Sequence, residues 1–327
     1  MRVKENKPPQ FFGPFATHLY AFVAYKQALG YKYYTVAENL TMFDAFSISS
    51  GVNGDSLSKE LVDKWIKKSP SEKPQTQIGR ITAIREFGKY LDSIDVSAYT
   101  PPMGTGARVQ RYMPYIFTHS EISSLFTAAD KQRILQQYPQ SHIIAPAILR
   151  LLYGTGIRIS EALALQKTDV NFNTNVIKVV DSKFGKDRLV PLSDSLAIYL
   201  AGYVDKVKPA NILFPNRKGG KLTVNGMYAM FRRVLWESGI SHGGRGSGPR
   251  LHDLRHTFSA HSIAQMVEQG VDLYVALPIL AAYLGHEKLS TTNQYVRLTA
   301  EAFPDIISVV EEKCGFVFPQ IGADNEE

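Results

Sequence analysis

The chain has a single cysteine, Cys314, in 327 residues. No disulfide can close within it, and a cysteine-based zinc site is excluded. No run of about 18 apolar residues occurs, so no transmembrane helix is expected. The first residues, MRVKENKPPQFFGPF, lack the continuous apolar stretch of a signal peptide. No internal repeat or low-complexity tract stands out, and the paired carboxylates of a metal-dependent nuclease are missing. These absences point to a globular protein of a reducing cytoplasm that takes no metal and no cofactor.

Positive charge is in excess. The formal net charge is +7 and the pI is near 9.2, which favours an anionic partner. The excess is uneven. Residues 1–115 hold 15 Lys/Arg against 10 Asp/Glu, residues 116–300 hold 21 against 13, and residues 301–327 hold 1 against 7. An acidic end therefore masks a more basic body.

The length suits two domains. Residues 12–92 read as a small helical bundle. Apolar spacing predicts helices over FATHLYAFVAYKQALG, Val36–Ser47, LSKELVDKWIKK (capped by Asp55 or Ser56) and Gln75–Leu91. In the fourth helix Ile78, Ile81, Ile84, Phe87 and Leu91 form one stripe. Arg80, Arg85 and Lys89 fall off it and make a candidate DNA-facing surface. Pro101, Pro102, Gly104 and Gly106 mark residues 93–115 as a linker, which Arg108 and Arg111 make basic. A second domain is expected over 116–300. It has helices at Ser141–Tyr153, Ser160–Leu165, Ser193–Val204, Val224–Glu237, His252–Gln269 and Leu273–Leu284. Two short strands are expected in NVIKVVDSKFGKDRLVPL, and a strand fragment at Leu213–Phe214. Thr118 or Ser120 opens its first helix. Ser290 or Thr291 can cap a short helix holding Tyr295. Residues 301–327 carry Phe303, Ile306, Ile307 and Val310 at helical spacing. The fold class is mainly α with a small β-sheet.

Six residues from position 158 onward stand out: Arg158, Lys183, His252, Arg255, His286 and Tyr295. Taken singly, each has an ordinary structural role available. Together they make chemical sense around one phosphodiester. Two arginines can fork onto non-bridging oxygens. A lysine and histidines can move protons, and a tyrosine can attack phosphorus. Arg158 follows a Gly-Thr-Gly turn at a helix start, where free N–H groups already favour an anion. His252 and Arg255 lie three apart on one helix face.

Four segments, GTGIRISEALAL, SKFGKDRLVPL, LHDLRHTFSAH and LGHEKLSTTNQYV, occur in the order found in the tyrosine recombinase (phage integrase) family. The chain resembles that family over Tyr115–Leu298, and more loosely over Phe12–Leu91, the position of the family's core-binding domain. The resemblance implies an N-terminal helical domain and a C-terminal catalytic domain that clamp DNA. It makes Tyr295 the nucleophile, with Arg158 and Arg255 holding the scissile phosphate. Lys183 becomes the general acid for the 5′-hydroxyl, His252 an acid/base or phosphate ligand, and His286 a phosphate hydrogen-bond donor. Glu161 and Asp253 fall where the family often has supporting polar residues. Lys186 is a second lysine in the hairpin and, with Arg245 and Arg250 from the glycine-rich GGRGSGPR, a candidate DNA contact. The implied partners are double-stranded DNA with paired recombination sites, a homotetramer assembled on it, and accessory DNA-bending or co-recombinase proteins. The segment after Tyr295 would dock on a neighbouring protomer or on its own domain. A type IB topoisomerase and a catalytically silent DNA-binding relative are the alternatives.

Overall fold

The computed structural model describes residues 8–108, 112–180, 187–244 and 248–285, which divide into two compact units, Met1–Tyr112 and Met113–Glu327.

The first unit is a helical bundle of α1 (Ala16–Ala28), α2 (Tyr34–Ser49), α3 (Lys59–Ile66) and α4 (Pro74–Ser93). Its centre is aromatic. The Phe87 ring lies 5.6 Å from Phe22, 6.2 Å from Phe15 and 6.4 Å from Phe43. Each fully buried Phe contributes roughly 1.5–3 kcal/mol. α3 is capped by Ser58, whose Oγ accepts from Leu61 N at 3.2 Å, in place of the expected Asp55 or Ser56. α4 starts with Pro74, whose missing N–H costs nothing in a first turn.

Two of the three cations expected on a DNA-facing surface of α4 are structural. Arg80 donates from Nε and Nη2 to both oxygens of Glu72, each at 2.7 Å, and from Nη1 to the Trp65 carbonyl. Its guanidinium also covers the Trp65 ring at 4.7 Å. Arg85 donates to the carbonyls of Pro101 at 2.9 Å and Pro102 at 2.7 Å. Both side chains are buried because their long stems cross the helix surface to reach these acceptors. Lys89 is exposed and pairs with Glu86 at 3.2 Å. Arg80→Ala is therefore expected to lower the stability of this unit by about 3 kcal/mol, since it leaves Glu72 without its partner. Urea unfolding will measure that loss, while the folded variant keeps its DNA affinity.

The expected linker is likewise partly structural. Residues 97–99 bridge in parallel to Leu57, with Tyr99 N donating to Leu57 O at 2.8 Å. Ala107 N donates to Gln77 Oε1 at 3.0 Å. The arginine bonds to Pro101 and Pro102 tie the same stretch to α4. Arg108 is exposed.

The second unit holds α5 (His119–Asp130), α6 (Ser141–Thr155), α7 (Ile159–Ala162), β1 (Val170–Asn171), β2 (Val176–Val179), β3 (Arg188–Pro191), α8 (Asp194–Val207), α9 (Val224–Glu237), α10 (Asp253–Glu268) and α11 (Leu273–Leu284). A capping box opens α5. Glu121 N donates to Thr118 Oγ1 at 3.1 Å, and Thr118 N to Glu121 Oε2 at 2.8 Å. α6 is the central helix, with Ile144, Ile148, Leu151 and Leu152 buried, and α8 and α10 pack against it. The sheet is antiparallel in the order β1-β2-β3, with Ile177 paired to Val170 and to Val190. Leu213 and Phe214 do not extend into a strand. Leu213 N donates to Leu165 O at 2.9 Å, Ile212 bridges to Gln166 and Pro215 bridges to Lys221. Among the described residues no helix is long and apolar enough to cross a membrane.

Candidate active site

The site is built where α6 ends. Gly156 caps that helix at φ +60°, a conformation a glycine adopts without strain. A Cβ there would lie 2.4 Å from the Phe258 ring of α10. This close approach brings the Gly156 carbonyl to Arg255, whose Nη1 donates to it at 2.7 Å. Arg255 Nη2 donates to the Leu284 carbonyl, the end of α11, at 2.8 Å. Arg255 is 2% exposed, so one guanidinium ties α6, α10 and α11 together at the floor of the site.

Two residues beyond Gly156, Arg158 stands before the first turn of α7. Glu161 reaches back to it, accepting from Arg158 N at 2.9 Å and from Nη1 at 2.8 Å. The Arg158 side chain stays 20% exposed. Glu161 also accepts from Arg188 of β3. Burial would raise its pKa, but the hydrogen bonds and charges of Arg188 and Arg158 prevail and lower it to about 2. Glu161 is thus a fixed anion and not a proton carrier.

His252 lies at the start of α10, its ring edge-on to His256 with centroids 4.8 Å apart. His252 is exposed to solvent. Desolvation first, then Arg255 and Arg158, push its pKa down to about 4 against the upward pull of Glu161. That exposure tempers the shift, but the direction makes the imidazole neutral at pH 7. Arg255 lies one helical turn from His252 and bonds to the Gly156 carbonyl, two residues before Arg158, which places Arg158, Glu161, His252 and Arg255 at one locus. Asp253, next to His252, is buried, and its Oδ2 accepts from Arg250 N at 2.8 Å, which anchors the turn into α10. The side chain of Arg250 is exposed.

The structure therefore brings together Arg158, His252 and Arg255. Lys183, Lys186, Arg111, Arg245, His286 and Tyr295 lie outside the described residues, as do residues 301–327. Two further residues, which the sequence motifs do not single out, belong to the same locus. Arg188 is one. Tyr283 is the other: burial raises its pKa to about 12, while the nearby Arg188 and Arg255 oppose the rise. The sequence does carry a signal for Arg188. In RLVPL the period of two places Arg188 on the face of buried Val190, whereas Leu189 points outward.

Behind the site, His261 of α10 is buried against His119, with ring centroids 4.1 Å apart, and its Nδ1 lies 2.9 Å from Tyr153 Oη. Burial and the neighbouring His119 push its pKa down to about 4. The unfolded chain binds this proton near pH 6.5, so stability is full above that value and is lost as pH falls toward 4. Urea unfolding is expected to lose roughly 2–3 kcal/mol between pH 7 and pH 4. His261→Gln should make that dependence shallower, leaving the part that His252 contributes.

A mainly helical unit with a short hairpin that brings two arginines and a neutral histidine together fits an enzyme for transfer at a phosphodiester. The chain belongs to the phage integrase family, the tyrosine-type DNA recombinases, whose family model matches residues 116–302. The y4rB protein of Sinorhizobium fredii, whose name places it provisionally among integrases and recombinases, is 27% identical over 89% of this chain and 95% of its own length. A tyrosine recombinase of Pseudothermotoga lettingae is 28% identical over 84% of this chain and 90% of its own. In fold, the chain is similar to the Tn1549 transposon integrase in complex with transposon right end DNA. That match has a TM-score of 0.65 and 17% identity, covering 91% of this chain and 99% of that one. XerH bound to its difH substrate matches with a TM-score of 0.61 and 19% identity, over 85% and 79%.

Proposed function

We propose that this site-specific DNA recombinase cuts and rejoins strands through a 3′-phosphotyrosyl intermediate at Tyr295. The observation that carries the reading is the proximity of Arg158, Arg255 and a neutral His252, with Glu161 fixing Arg158. In the first step the Tyr295 oxygen bonds to phosphorus as the P–O5′ bond breaks. His252, neutral at pH 7 and flanked by cations, takes the phenolic proton, and Lys183 gives a proton to the leaving 5′-oxygen. The pentacoordinate intermediate carries more negative charge than the ground state, and Arg158 and Arg255 offset it. His286 donates to the same phosphate. The bond energy stays in the phosphotyrosine, so a 5′-hydroxyl of a partner strand can reverse the chemistry and complete exchange without nucleotide hydrolysis.

The exposed cations Lys89, Arg108 and Arg250, with Arg111, Lys186 and Arg245, would meet the DNA backbone. We assign the working form as a tetramer on paired sites that passes through a Holliday junction, two protomers acting at a time. Residues after Tyr295 would dock on the neighbour, and accessory DNA-bending proteins would complete the complex. The likeness to y4rB along nearly its whole length favours service to a mobile element in a bacterial cytoplasm. Incubation with two copies of the gene's flanking DNA, without metal, tests the reading. Recombinant product together with a covalent adduct is expected. Adduct with plasmid relaxation and no exchange would instead identify a topoisomerase.

A further inference from the structure

Arg188 has no role in the chemistry described above, yet it holds the residue that holds Arg158. Its Nη1 donates to Glu161 Oε1 at 3.1 Å and its Nη2 to Glu161 Oε2 at 2.7 Å. Each Glu161 oxygen thus accepts one bond from Arg188 and one from Arg158. The Arg188 side chain is 12% exposed and that of Glu161 6% exposed, so neither is open to substrate. Arg188 also lies against Gly285, the residue before His286: a Cβ on Gly285 would be 3.4 Å from Arg188 Cδ and 3.6 Å from its Nε.

The charge count explains why a second arginine matters. Arg158 and Glu161 alone form a neutral pair, and a buried carboxylate would draw the Arg158 charge toward itself. Arg188 supplies the counter-charge, so the three groups carry a net positive charge. That charge leaves through Arg158, the only member with 20% of its side chain exposed.

We infer that Arg188 is a positioning residue for strand cleavage: by satisfying Glu161 from behind, it keeps the Arg158 charge available to the scissile phosphate. The inference rests on the proposed function and names a residue that acts through Glu161 and does not touch DNA. It differs from a plain packing role because its effect must depend on the charge of the phosphate.

The test compares covalent adduct formation by wild type, Arg188→Lys, Arg188→Gln and the double variant Arg188→Gln/Glu161→Gln. Each acts on nicked duplexes with an ordinary scissile phosphate or with a methylphosphonate, which lacks the negative charge. Arg188→Gln is expected to lose about 10–100-fold on the phosphodiester, the range typical when a supporting residue behind a ligand is removed. On the methylphosphonate the loss should shrink to about threefold or less. Arg188→Lys, which keeps the charge but not the two-pronged contact, should recover part of the rate. The double variant should be faster than Arg188→Gln alone, because removing the carboxylate frees Arg158 again. Equal losses on both substrates, with no recovery in the double variant, would reduce Arg188 to packing and overturn the inference. No loss on either substrate would overturn it as well. If Arg188→Gln fails to fold, the double variant and Arg188→Lys carry the comparison. Wild type sets the reference: if it forms no adduct on either substrate, the proposed function itself fails.

Discussion

Tyr295→Phe is expected to bind DNA as tightly as wild type and to form no covalent adduct. The phenolic oxygen is the one atom that becomes bonded to phosphorus in the proposed route, and phenylalanine keeps the ring while deleting that atom. The loss is therefore complete within detection. Covalent catalysis replaces one difficult displacement by two easier ones, and no neighbouring group inherits that path. DNA binding rests on backbone contacts to cations elsewhere on the chain, so a gel-shift midpoint should move by less than about threefold at a fixed salt concentration. Denaturing gels of the same mixtures read the adduct. A surviving adduct would sink the assignment of Tyr295.

Arg255→Ala is expected to cost both stability and chemistry. The side chain satisfies the carbonyls that end α6 and α11, at 2.7 and 2.8 Å, inside a site where water does not replace it. Hydrogen bonds from a charged donor contribute about 1.5–3 kcal/mol each, so urea unfolding should show a loss of roughly 3–6 kcal/mol. The remaining folded protein should form adduct about 100- to 1,000-fold more slowly, the range for loss of one transition-state donor. Arg255→Lys restores a charge but not a fork, because an ammonium cannot span two carbonyls in fixed directions. It should recover part of the stability and little of the rate. A variant as stable as wild type would contradict the role of Arg255 as the tie between three helices.

Much of the second unit is legible in the amino-acid sequence. α9 and α11 begin and end where apolar spacing and Leu284-Gly285 place them, and Thr118, one of the two residues expected to open α5, carries its capping box with Glu121. The proximity of Arg158, His252 and Arg255 follows from a helix end, a helix start and a shared face. The departures have a common physical cause. Arg80 and Arg85 lie off the apolar stripe of α4, which suggests solvent, but their stems are long enough to reach Glu72 and the carbonyls of Pro101 and Pro102. Periodicity reports where a Cα faces, and a guanidinium works several ångströms away. The same reach hides Arg188, whose partner Glu161 is 27 residues earlier in the chain. Prolines and glycines mark 93–115 as irregular, and much of it is; irregular backbone can still pack, as residues 97–107 do on Leu57, Gln77 and Arg85.

The most direct test of the proposed chemistry is to find the protein atom that carries the DNA. Wild-type protein would be trapped on a nicked duplex containing the gene's own flanking sequence, digested with protease and nuclease, and the nucleotide-bearing peptide sequenced by mass spectrometry. A 3′-nucleotide phosphate on Tyr295 and a free 5′-hydroxyl on the released strand are predicted. A nucleotide on any other residue, or a 5′-phosphate linkage, would contradict the mechanism.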